Sequence, residues 1–119
     1  MLFRFRKFPV YKDARRFRKA VYLLANKFPK EEIYNLTSQI KRAANSILLN
    51  IAEGSNRMSD KDFGRFLINS SSSLEEVIAC LDIALDEKYI SKNEHQDYIL
   101  LAEELGKQLI GFTKKLRNN

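Results

Sequence analysis

LTSQIKRAANSILLNIAEG, residues 36–54, carries two stripes at helical spacing. Leu36, Ile40, Ala43, Ala44, Ile47 and Ile51 define an apolar face. Gln39, Arg42, Ser46, Asn50 and Glu53 recur at i, i+3, i+7, i+11 and i+14 along the flank of that face. Polar groups in that position meet a neighbouring helix or subunit, and an unsatisfied buried polar group costs about 1–3 kcal/mol. The polar stripe therefore predicts a specific contact. Arg42 and Glu53 lie about 16 Å apart at 1.5 Å per residue, so each needs a partner outside its own helix.

Three more helices flank this one. Helix one is expected over residues 11–27, with Ala14, Phe17, Val21, Leu24 and Phe28 inward. Phe28-Pro29 stops it, since the residue before proline disfavours the helical region. Helix two is expected to be capped near Asn35 and ended by Gly54. Helix three opens at Ser59 with Asp62 three residues on, and ends near residues 86–88. Its inner face is Phe63, Phe66, Leu67, Leu74, Val77, Ile78, Leu81 and Leu85. Helix four opens on a second capping pair, Ser91 and Glu94, and buries Tyr98, Leu101, Leu105, Leu109, Phe112 and Leu116. Short connections make sequential helices antiparallel. The expectation is an all-α, antiparallel up-and-down four-helix bundle over residues 1–119, one domain, with a short extended N-terminal arm at 1–10. Ser70 to Ser73 are poor helix formers. Ser70 falls on the apolar face, which makes sense where another helix approaches closely.

The inventory for catalysis is thin. A di-iron bundle needs Glu-x-x-His on two helices. The single histidine, His95, has Lys92 three residues before it and is expected to be solvated. Cys80, the only cysteine, fits a packed, inert thiol and offers no disulfide within one chain. AEGS at 52–55 is a helix terminus and not a phosphate loop. Glu75-Glu76 and Glu103-Glu104 are adjacent pairs that diverge on a helix. No enzyme, no cofactor and no metal are expected. No apolar run approaches the ~20 residues that span a bilayer, so the expectation is a cytoplasmic protein with no membrane partner.

Charge is where the sequence speaks. Net charge is +6. Residues 1–30 hold ten Lys/Arg against one acid, Asp13, whereas residues 31–119 hold eleven against fourteen. Lys12, Arg15, Arg16 and Lys19 fall at i, i+3, i+4 and i+7, opposite the apolar stripe of helix one. Arg18 widens the patch and Tyr22 lies at its edge. Phe3-Arg4-Phe5-Arg6 alternates with period two, which in an extended segment separates aromatics from guanidinium groups. Arginine binds phosphate bidentately and aromatics stack on unpaired bases. Arg4, Arg6, Lys12, Arg15, Arg16, Arg18 and Lys19 are thus the candidate nucleic-acid contacts. The competing expectation for Phe3, Phe5 and Phe8 is packing on the bundle or pairing with another chain.

The chain also resembles a bacterial family, the four-helix-bundle or 23S rRNA intervening-sequence proteins, over residues 10–112. The resemblance rests on Phe28-Pro29, Leu36-Thr37, Gln39, Arg42-Ala43, Ser46-Ile47 and Asn50-Ile51-Ala52-Glu53-Gly54. Phe66-Leu67 and Ser73-Leu74-Glu75-Glu76 follow at the expected distance. Asn35 and Leu48 depart from its usual glycine and proline. The resemblance implies a homopentamer, a ring of bundles with a basic surface, whose genes lie inside ribosomal RNA intervening sequences; the charge pattern adds the expectation that this surface binds nucleic acid, RNA above all. The resemblance also implies a relation to accessory proteins of diversity-generating retroelements, with a reverse transcriptase as the alternative partner. Gln39, Arg42, Ser46, Asn50 and Glu53 match its signature positions, and they are expected to tie helix two to helix three and to a neighbouring subunit.

Overall fold

Four helices account for most of the computed structural model, which describes residues 2–118: α1 Pro9–Ala25, α2 Leu36–Ser55, α3 Asp60–Asp86 and α4 Lys92–Arg117. There is no strand among the described residues. α2 packs on α1 and α3, α4 packs on α3 and α1, and among the described residues the diagonal pairs bring no Cα atoms within 8 Å. Cross-helix bonds fix the direction of each neighbour. Ser70 to Ile47 and Ser73 to Ser46 run α3 against α2. Asp82 bonded to His95 with Leu74 beside Gly106 runs α4 against α3, and Tyr98 to Ala20 with Gln108 to Asp13 runs it against α1. The result is the expected up-and-down antiparallel bundle.

The core follows the apolar stripes. Val21, Ile40, Ala44, Ile51, Leu67, Val77, Leu81 and Leu109 are almost wholly removed from water. Burial of one such side chain contributes about 1.5–3 kcal/mol, which makes these faces the main source of stability. Leu101 departs from expectation. It is about half exposed, and Ala102 faces inward in its place, because the buried phase of α4 runs through Ala102, Leu105 and Leu109.

The caps hold α3 and α4 as predicted. Ser59 accepts from the Asp62 amide, and Ser91 and Glu94 form a reciprocal capping box. At α2 the acceptor differs from expectation. Asn35 occupies the cap position, but its side chain makes no capping bond. Glu32 Oε1 instead accepts from both the Leu36 amide and Asn35 Nδ2. α1 ends at Ala25, before Phe28-Pro29 is reached.

Gly54 does not end α2, which runs one residue further. Its role is proximity. A Cβ there would lie 2.6 Å from Phe66 Cβ and 2.9 Å from Phe63 Cδ1, so glycine lets α3 approach. Ser70 serves the same seam from the other side. It is fully buried and donates to the Ile47 carbonyl at 2.9 Å.

The expected extended arm is absent. Arg4–Lys7 form a 3-10 turn, and Phe3 is in the left-handed region at φ 59°. Packing explains the difference. Phe5 meets Tyr11 edge to face, and Phe8 stacks near Phe63 and meets Phe112 edge to face. Pro9 then opens α1, where a missing N–H costs nothing.

Candidate nucleic-acid interface

α1 turns its apolar stripe inward and its basic residues outward along the groove it forms with α2. Arg6, Lys12, Arg15, Arg16, Arg18 and Lys19 surround one shallow open depression, with Leu48 from α2 as its apolar wall. No carboxylate lines it. Six of the seven cations chosen from sequence therefore converge. Arg4 goes elsewhere: its guanidinium donates twice to the Ser55 carbonyl, at 3.0 and 3.2 Å, and lies over Phe8 and Phe63. There it caps the C-terminus of α2, where a cation meets the negative end of the helix dipole.

The charge at this end is largely uncompensated. Among the described residues, the cations of segment 1–30 that have a carboxylate partner are Arg16, with Asp13, and Lys27, with Glu94. Both pairs are surface contacts, worth little individually. Glu94 sits below the ordinary carboxylate range because Lys27 donates to it and the Ser91 amide adds a second bond. Lys27 rises correspondingly above its usual value.

A polar chain leads out of the depression along the groove. Arg18 Nε donates to Asn45 Oδ1 at 2.6 Å, and Asn45 Nδ2 donates to the Tyr22 hydroxyl at 2.9 Å. The Arg18 guanidinium carbon is 4.1 Å from the Tyr22 ring centroid, and Lys41 Nζ is 4.9 Å from it. Lys41 also donates to Asn26. Cation–π contacts of this kind hold long side chains in place for about 0.5–1 kcal/mol each at exposed sites.

The polar stripe of α2 divides. Ser46 and Asn50 are half-buried: Ser73 Oγ donates to Ser46 Oγ and so ties α2 to α3, while Asn50 donates to Ser46 within α2. Gln39 and Arg42 are exposed, and Glu53 reaches Arg57 on its own chain. Lys41, Asn45 and Lys30 escaped the sequence reading as groove residues. They belong to different elements from the helix-one patch, and no spacing within one helix connects them to it.

The remaining candidates for chemistry are occupied structurally. His95 is not solvated as expected: its ring is largely covered and bonds Asp82 at 2.8 Å. Cys80 is buried, and desolvation with a smaller push from Glu76 raises its thiol to about 11. Among the described residues no three of His, Cys, Asp or Glu gather as metal ligands, and no helix is long and apolar enough to cross a membrane.

These features define a small helical bundle with a cationic groove between its first two helices. The family model described as 23S rRNA-intervening sequence protein matches residues 6–111, and the chain belongs to that family. No curated protein matches the sequence. Among solved structures it is similar to a protein of unknown function from the S23 ribosomal protein family of Bacteroides thetaiotaomicron VPI-5482. The two share a TM-score of 0.80 at 23% identity, over 88% of this chain and 98% of that one. At that identity the likeness concerns the fold.

Proposed function

We propose that this protein is a non-enzymatic, homo-oligomeric scaffold that binds nucleic acid, RNA in the first place, through the α1 groove. The observation that carries the reading is the depression ringed by Arg6, Lys12, Arg15, Arg16, Arg18 and Lys19 without a carboxylate among its lining. Such a surface matches a phosphate backbone, and sequence-independent affinity for nucleic acid comes chiefly from contacts of that kind. Self-association adds to it, since several copies of a weak patch on one assembly raise avidity without any new contact. Gln39 and Arg42, exposed on α2, are the proposed contributions to the subunit contact, with Ser46 bonded to Ser73 holding that helix to α3.

The test is the triple variant Arg15→Glu, Arg16→Glu and Lys19→Glu. All three residues are exposed, so the bundle should keep its helicity and melting temperature. RNA affinity should fall by about 100-fold or more, through lost phosphate contacts and new repulsion. Wild-type affinity in a folded triple variant would refute the proposal. Native mass spectrometry of the purified protein reads the subunit number directly.

A further inference from the structure

The groove does not stop at the first depression. At the N-terminal end of α2 a second hollow of about 550 Å³ opens between α1 and α2. Lys30, Lys41 and Arg42 line it, and again no carboxylate does. Tyr34 lines it too, and is 97% exposed, with Ile33 half exposed beside it. A tyrosine left so fully in water is an unused stacking surface. Thr37, in the same wall, has a buried hydroxyl with no hydrogen-bond partner, a state that native proteins rarely leave unexplained.

Of the two carboxylates in the preceding turn, neither lines the hollow, and Glu32 is committed elsewhere. Glu32 accepts from the Tyr89 hydroxyl, the Leu36 amide and Asn35, and these bonds hold it below its ordinary value. The chain Arg18–Asn45–Tyr22–Lys41 joins this hollow to the first, so positive charge is continuous along the groove. From Lys12 to Asn26 that strip measures about 21 Å at 1.5 Å per residue.

We infer that this second hollow is a subsite for an unpaired nucleotide, with Tyr34 stacking the base and Lys30 and Lys41 holding the flanking phosphates. The inference rests on the nucleic-acid reading above and narrows it. Phosphate contacts alone do not separate duplex from single strand. An exposed aromatic ring beside cations does, because only an unpaired base offers its face. The groove thus takes a single strand, backbone along α1 and one base at the α2 end.

The full-length protein is titrated with a fluorescein-labelled single-stranded oligonucleotide and with the matching duplex, and binding is read by anisotropy. Wild type, Tyr34→Ala and Tyr34→Phe are compared. Tyr34→Ala should weaken the single strand by about fivefold or more, the smaller end of what one stacked base contributes, and leave the duplex unchanged. Tyr34→Phe, which keeps the ring, should restore the single strand. A 2-aminopurine in the strand should be quenched by wild type and by Tyr34→Phe but not by Tyr34→Ala. Equal single-strand affinity and equal quenching in all three proteins would overturn the subsite and leave the wider function standing. Equal weakening of strand and duplex in Tyr34→Ala would also overturn it. Loss of both ligands already in wild type would overturn both readings.

Discussion

α2 has two sides that differ in kind. Toward α3 it is a tight seam: Gly54 sits against Phe63 and Phe66, Ser70 is sealed against Ile47, and Ser46 meets Ser73. Toward α1 it borders an open groove whose contacts are long cationic side chains, amides and a tyrosine ring. The seam is small, dry and intolerant of added volume. The groove is wide and wet, and its groups are held by bonds that solvent can replace. One helix thus separates the work of holding the bundle together from the work of meeting another molecule. Substitutions on the two sides should therefore fail in different assays.

The largest effect should come from the seam. Gly54→Leu places side-chain atoms where even a Cβ lies 2.6 Å from the base of Phe66, and that contact cannot be relieved by a flexible tip. Destabilisation of about 3 kcal/mol or more is expected, the upper part of the overpacking range, read by urea denaturation. An unchanged midpoint would mean that α2 and α3 are not this close. A milder probe of the same seam is Ser70→Ala. It removes one buried hydrogen bond and should cost about 1 kcal/mol, with RNA binding untouched. A loss of binding in this variant would blur the division between the two sides.

The smallest effect concerns pH at the rim. The folded state holds Glu94 and Glu32 below their ordinary value of 4.5. The stability that these contacts add is present above that value and is lost as pH falls through the lowered folded-state values. Lys27 is raised above 10.5, so its share is present below that value and fades at higher pH. Glu94→Gln should flatten the acid limb of a melting-temperature profile slightly and leave the neutral region almost unchanged. A steeper acid limb in that variant would contradict the pairing.

Much of this division could be read from the chain. Residues 36–54 declared a helix with a buried face, and Ser59, Ser91 and Glu94 marked helix starts through local hydrogen bonds that sequence spacing encodes. The patch Lys12, Arg15, Arg16 and Lys19 was legible because all four residues share one helix. Two features were not legible. Four residues of Phe-Arg alternation cannot distinguish a strand from a 3-10 turn, and the choice is made by distant partners, Phe63, Phe112 and Ser55. Likewise Tyr34, Lys30 and Lys41 meet only after α1 and α2 have packed. Leu101 shows a third limit. Its neighbour Ala102 carries the buried phase, and a small apolar residue next to a large one hides which of them turns inward.

The groove itself is tested most directly by the salt dependence of RNA binding. Affinity is measured across a salt series for wild type and for the Arg15→Glu, Arg16→Glu, Lys19→Glu variant. Wild type should show a steep linear fall of log K with log salt, because bound cations release counterions from the phosphates. The variant should show both a lower affinity and a shallower slope, by about one unit per lost phosphate contact. A wild-type affinity insensitive to salt, or a variant with the wild-type slope, would contradict the account.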